Sequence, residues 1–85
     1  MTPGARICAA IEITTAIDAG TSASDSVVET YFRHRRYAGS KDRRAITDRV
    51  YGLIRRHARL NWWIERSGSF LSPDARLRMI ADLAL

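Results

Sequence analysis

The stretch "SKDRRAITDRVYGLIRRHARLNWWIER", residues 40–66, decides the kind of fold that this chain adopts. Its inward-facing residues recur every three or four positions, which is the spacing of one face of an α-helix. At about 100° per residue they fall within a single sector of the helix. These residues are Ile46, Val50, Leu53, Ile54, His57, Leu60 and Ile64. We therefore predict one helix from a Ser40 cap to Arg66, about 40 Å long.

Two helices are predicted before this stretch. The first begins at Thr2, a favourable N-cap, and ends at Gly20, for which we expect a left-handed backbone. The second begins near Ser22, which forms a capping-box pattern with Asp25. The residues expected to face the core are Ile7, Ala10, Ile11, Thr14 and Ile17 in the first helix, and Val27, Val28, Tyr31 and Phe32 in the second.

A fourth helix is predicted near the end of the sequence. It begins at Ser72 as N-cap, with Pro73 in its first position. The residues expected on its apolar face are Leu77, Ile80, Ala81, Ala84 and Leu85. Since no stop signal follows, we expect residues 1–85 to be the N-terminal part of a longer protein, incomplete at the C-terminus. The predicted fold is all-α, with about four helices.

The composition limits the class of protein. With 85 residues the chain is long enough for one small domain. Its single cysteine, Cys8, cannot form an internal disulfide, and we expect it to be a small core residue. We also expect His57 to be a core residue with a structural role. There is no apolar run of about 18 residues that would cross a membrane, so we expect a cytoplasmic protein.

Positive charge is concentrated in residues 33–59. The whole chain has a formal net charge of +5, with thirteen arginines and one lysine. Residues 33–59 hold ten basic and two acidic side chains, whereas the rest holds four basic and seven acidic ones. An ordinary solvated surface mixes both signs. We therefore predict a basic strip that contacts a polyanion, with His34 beside it; the alternative is the solvated back of a helix in an arginine-rich proteome.

Three aromatic side chains of the same helix have more than one interpretation. Tyr51 and Trp62 point away from the stripe that contains Ile46, and Trp63 adjoins them. Aromatic rings between arginines often stack on bases. Alternatively, these rings are buried because the helix is central and packs on more than one side, or they are covered by a partner domain. The pattern leaves core, domain interface and base stacking open.

The chain resembles the N-terminal NusB-like domain of bacterial rRNA cytosine 5-methyltransferases. The resemblance covers roughly residues 4–85. It rests on several short matches in the same order as in that family. These are Arg6 to Ala9 on the first helix, Asp42-Arg43 at the start of the third, Tyr51-Gly52 followed by Arg55, and Leu60.

The resemblance implies a NusB-like helical bundle followed by a catalytic domain that binds S-adenosylmethionine. We expect no cofactor, metal site or catalytic residue within residues 1–85. It also implies an ion pair between Arg6 and Asp42, and a Gly52 against which another helix backbone passes closely. The residues then expected to face RNA are Arg33, Arg35, Arg36, Lys41, Arg44, Arg55, Arg56 and Arg59.

Two alternatives to this function remain open. In one, the exposed apolar faces and Trp62 dock a partner domain or form a homodimer, and the cations keep the chain soluble. In the other, the chain is a free-standing NusB-type transcription antitermination factor. The partners expected from the main hypothesis are ribosomal RNA and the chain's own C-terminal methyltransferase domain, with no membrane.

Overall fold

The computed structural model describes residues 1–20, 22–67 and 74–84, and within these ranges the chain is helical without strands. The helices are α1 (Pro3–Ala19), α2 (Ser24–Arg33), α3 (Ser40–Arg55), α4 (His57–Arg66) and α5 (Ala75–Ala84). The predicted all-α class is confirmed. None of the described helices is both long enough and apolar enough to cross a bilayer.

The beginning of α1 follows the sequence signal, and its end does not. The Thr2 hydroxyl oxygen accepts a hydrogen bond from the Ala5 N–H at 3.1 Å, so Thr2 is the N-cap. The left-handed conformation expected at Gly20 is wrong, because its φ of −99° and ψ of 168° are extended. The backbone therefore becomes extended immediately after α1, and the Gly20 N–H donates to the Ile17 carbonyl at 3.4 Å.

The serine caps predicted for the second and third helices are also wrong. Ala23 and Gly39 occupy the N-cap positions, and neither helix start has a side-chain cap. Their carbonyls accept the first helical bonds, at 3.2 Å for Ala23 and 2.9 Å for Gly39. The predicted cap Ser72, with Pro73, lies outside the described residues. In α5 the Asp74 carboxylate accepts the Leu77 N–H at 2.8 Å.

The single long helix predicted over residues 40–66 is interrupted at Arg56. The backbone there departs from helical geometry, with φ of −99° and ψ of 10°. The Arg56 N–H still bonds to the Gly52 carbonyl at 3.0 Å, and its carbonyl accepts the Leu60 N–H at 2.9 Å. Its guanidinium reaches Asp82 on α5. The interruption thus occurs where a tertiary contact is made, and α4 packs against α5.

The core lies mainly between α1 and α3, with α5 packed on both. The buried cluster consists of Ala9, Ala10, Ile13, Val28, Phe32, Ala38, Ile46, Val50, Leu53, Leu60 and Met79. Three residues predicted to be in the core are exposed: Cys8, Ile54 and His57. Ile54 and His57 flank the interruption at Arg56, where the continuous stripe assumed from the sequence ends. His57 instead lies 3.1 Å from the Asn61 amide nitrogen on the surface.

The inner face of α5 differs from the apolar face predicted for it. Ala75, Arg78 and Met79 are buried, whereas Ile80 is 54% exposed. Ala84 is exposed, and Leu85 lies outside the described residues. Two ion pairs account for this orientation, because Arg78 bonds to Asp18 on α1 and Asp82 bonds to Arg56. The inner face of α5 therefore includes the charged side chains Arg78 and Asp82, whereas the apolar pattern predicted only hydrophobic residues there.

Gly52 is buried against a side chain and not against the helix backbone that we expected. A Cβ at this position would lie 2.5 Å from Nη2 of Arg56. We predict that Gly52→Leu lowers the free energy of unfolding by about 1 to 3 kcal/mol, because the guanidinium has to leave Asp82. Thermal melts followed by circular dichroism measure this effect, and an unchanged melt would count against it.

The Arg56→Ala background is the matched control for this claim. There the obstacle is absent, and Gly52→Ala should stabilise the chain by about 1 kcal/mol, since alanine is the better helix former. The same gain in the wild-type background would show that the Arg56 guanidinium does not constrain residue 52.

Candidate nucleic-acid interface

The outer face of α3 carries exposed cations. Lys41, Arg44 and Arg55 are exposed and lie on the side of this helix opposite buried Ile46. No carboxylate of the described residues forms an ion pair with any of the three. From Lys41 to Arg55 the helix rises about 21 Å. One acid, Asp48, shares this face, so the face is strongly but not uniformly positive.

Three of the eight predicted RNA-facing residues are instead paired with carboxylates: Arg33, Arg35 and Arg56. The pair of Arg33 with Glu29, at 3.1 Å, joins two exposed side chains one helical turn apart. Such a pair contributes little to stability, about 0.3 to 0.5 kcal/mol. Arg33 therefore remains available to another anion.

Arg35 takes part in the contact between α1 and α2. Its guanidinium lies 3.9 Å from the centroid of the Tyr31 ring and 3.9 Å from the Glu12 carboxylate. The Tyr31 hydroxyl donates to the same carboxylate at 2.9 Å. Burial, and then this hydrogen bond, raise the pKa of Tyr31 to about 12. Arg35 is thus held by its own fold, and we leave it out of the proposed interface.

Arg56 is likewise a structural residue. Its Nε and Nη2 donate to the two oxygens of Asp82 at 2.7 Å and 2.9 Å, a bidentate arrangement. These hydrogen bonds raise the pKa of the Arg56 guanidinium above its usual value. Arg49 approaches the same carboxylate at 3.7 Å. Both guanidinium groups belong to the junction of α3 with α5.

Arg36 and Arg59 complete the exposed set. Arg36 lies in the loop between α2 and α3, and Arg59 lies on α4 beyond the interruption. Neither is ion-paired within the described residues. Five of the eight predicted residues therefore remain exposed and unpaired there, distributed over a loop and two helices. His34, expected beside them, is also exposed.

The aromatic side chains separate into two groups. The Tyr51 hydroxyl donates to Asp25, which joins α3 to the start of α2 and raises the pKa of Tyr51. Trp62 and Trp63 are both exposed and make an edge-to-face contact at 4.9 Å. Tyr37, which our sequence interpretation did not single out, is 74% exposed. The sequence did contain a signal for its exposure, because Tyr37 lies between Arg36 and Ala38 in a loop rich in arginine.

The ion pair expected between Arg6 and Asp42 is confirmed. Nε of Arg6 lies 2.7 Å from one carboxylate oxygen, and the N-terminal amine of Met1 lies 3.3 Å from the other. The hydrogen bond from Arg6 is the main reason that the pKa of Asp42 is below its usual value, and the amine adds to it. The pair ties the start of α1 to the start of α3.

No protein-family model, curated protein or solved structure matches this chain.

Asp42 gives a pH-dependent prediction. Because its pKa is lowered in the folded state, its contribution to stability is complete above the unfolded value of about 4 and is lost as the pH falls through the folded value. Asp42→Asn should therefore destabilise the chain at neutral pH and differ less from wild type in acid. Urea unfolding at several pH values measures this difference.

Asp48→Asn is the control for Asp42→Asn, since it removes the same charge from α3 without breaking an ion pair. A destabilisation by Asp42→Asn that is equally large at every pH would contradict the assignment.

Proposed function

We propose that this chain is a NusB-like RNA-binding domain that holds its RNA through phosphate contacts. The observation that supports it best is the outer face of α3, where Lys41, Arg44 and Arg55 are exposed without carboxylate partners among the described residues. Arg35 and Arg56 bind carboxylates of other helices, whereas these three side chains are free to meet a ligand. Arg36 and Arg59 add two exposed cations in the segments that precede and follow this helix.

Phosphate contacts of this kind give affinity and orientation without sequence selection. Lysine and arginine release condensed counterions when they meet a nucleic-acid backbone, so such binding weakens steeply with salt. The exposed acid Asp48 lowers the local potential but leaves a net positive face. The proposal therefore assigns α3 the role of holding RNA, and selection of a base to another part of the assembly.

The resemblance supports a further part of the proposal, that the domain belongs to an S-adenosylmethionine-dependent rRNA cytosine 5-methyltransferase. The described residues contain no strand followed by a glycine-rich loop, the unit that binds such cofactors in Rossmann-like folds. The resemblance assigns that cofactor to a catalytic domain outside residues 1–85. The reading frame that encodes this chain tests the assignment: a Pro-Cys motif and a cofactor loop support the enzyme, and a one-domain product supports an antitermination factor.

The RNA-binding role is tested with Arg44→Gln/Arg55→Gln. The change removes two proposed phosphate contacts, each of which contributes about 0.7 to the slope of log affinity against log salt for a single strand. We expect the slope to become shallower by about 1.4 and the affinity at low salt to fall. Fluorescence anisotropy with a labelled RNA, repeated over a salt series, measures both quantities.

Arg66→Gln/Arg76→Gln is the matched control, because it removes the same net charge from α4 and α5. Its salt slope should stay close to that of the wild type. If both double variants lose affinity equally, net charge and not the α3 face attracts the RNA. If the wild-type chain binds no RNA at low salt, the proposed function is wrong.

Docking of a second copy is the other candidate function, and an apolar groove favours it. A groove of about 540 Å³ lies between α1 and α5, lined by Gly4, Ile7, Cys8, Ile11, Glu12, Arg76, Met79, Ile80 and Leu83. Ile80 and Leu83 are 54% and 50% exposed. Exposed apolar side chains rimmed by polar ones, here Glu12 and Arg76, are typical of protein–protein contact sites.

For this candidate, Ile80→Glu/Leu83→Glu should convert a dimer to a monomer, because docking would bury two carboxylates. Light scattering measures the mass, and Trp63→Glu, which changes an exposed apolar side chain away from the groove, is the control. A wild-type chain that remains monomeric at high concentration would exclude this candidate.

A further inference from the structure

Arg36 and Tyr37 form the tip of a β-turn between α2 and α3. The Ala38 N–H donates to the Arg35 carbonyl at 3.2 Å, which closes a four-residue turn with these two residues at its centre. Both central side chains are exposed, and Tyr37 is the most exposed large hydrophobic side chain of the described residues. The Tyr37 ring makes little contact with the rest of the fold and is accessible to a ligand.

This turn is fixed on both sides. On one side, the Arg35 guanidinium lies over the Tyr31 ring and its Nη1 donates to the Tyr31 carbonyl at 3.4 Å. On the other, Ala38 is buried in the core, and its carbonyl accepts a hydrogen bond from Nε of Arg43 at 3.0 Å. The backbone of the tip is therefore held in place, which lowers the backbone part of the entropic cost of a contact.

A positively charged groove adjoins the turn. It has a volume of about 470 Å³ and is lined by Glu29, Phe32, Arg33, Arg36 and Arg43. Arg36 is unpaired among the described carboxylates, and Arg43 is exposed and uses only Nε for the Ala38 carbonyl. Glu29 is the one acid in the lining, and it is already paired with Arg33. Three guanidinium groups thus surround a space open to solvent, a suitable environment for a phosphate.

We propose that the turn and groove together bind one unpaired nucleotide of an RNA strand, with its base stacked on Tyr37 and its phosphate held by Arg36 and Arg43. The inference rests on the proposed RNA-binding function and extends it to single-stranded RNA. Bases within a duplex are stacked on both faces, so a protruding tyrosine reaches only a base that is out of the helix. An exposed ring beside a basic groove is the feature that a simple charged surface lacks.

The experiment compares two RNA probes with Tyr37 variants. One probe is an unstructured labelled RNA of about ten nucleotides and the other is a duplex of the same composition. Tyr37→Ala should weaken binding of the single strand by about 5- to 150-fold, the range measured for a lost base-aromatic stack. Its affinity for the duplex should change less than about twofold, because phosphate contacts are untouched.

Tyr37→Phe is the matched control, since it keeps the ring and removes the hydroxyl. It should bind the single strand as the wild type does, and a fluorescent base analogue in the probe should be quenched by the wild type and by this variant but not by Tyr37→Ala. Arg36→Gln should make the salt slope for the single strand shallower by about 0.7. Circular dichroism should show the same melt for all three variants, because both side chains are exposed.

The outcomes separate this inference from the function on which it rests. If Arg44→Gln/Arg55→Gln reduces RNA binding while Tyr37→Ala binds the single strand as tightly as the wild type, the α3 surface is supported and the nucleotide site is wrong. If the wild-type chain binds neither probe at low salt, both proposals are wrong. Equal loss of single-strand and duplex binding in Tyr37→Ala would also overturn the stacking site.

Discussion

The ion pair between Arg56 and Asp82 is the contact on which the arrangement of the C-terminal half depends. Asp82 is almost covered, with 10% of its side chain exposed, and it accepts two hydrogen bonds from one guanidinium. A carboxylate in this environment is costly unless it is paired. The pair therefore fixes α5 against the end of α3. It also coincides with the interruption at Arg56, beyond which α4 packs on α5.

This requirement divides the basic side chains into two populations. Arg6, Arg35, Arg56 and Arg78 join one helix to another through carboxylates or an aromatic ring. The cations Lys41, Arg44 and Arg55 on the outside of α3, and Arg36 at the tip of the α2–α3 turn, make no such contact with described acids. Net charge alone does not distinguish these populations. The availability of a cation for an external anion depends on whether the fold has already used it.

The two proposals about RNA assign different physical tasks to neighbouring surfaces. Phosphate contacts along α3 would supply affinity and orientation, since backbone charge is the same for every sequence. The ring of Tyr37 would supply a contact that depends on an unpaired base. Since the turn is held by Arg35 on one side and Ala38 on the other, its geometry is set by α2 and α3 together. The structural arginines thus position the residues proposed to meet the ligand.

Local chemistry was sufficient for the helical class, the Thr2 cap and the buried stripe of Ile46, Val50 and Leu53, because these follow from residue spacing and from hydrogen bonds within a few positions. The same spacing misassigned Ile54 and His57, which flank a break at Arg56, whose side chain bonds to a residue 26 positions away along the chain. The spacing of residues also could not predict which face of α5 is buried, or which arginines pair within the fold and which remain free. Both depend on the distances between particular carboxylates and guanidinium groups. These distances are set by the packing of segments that are far apart in the sequence.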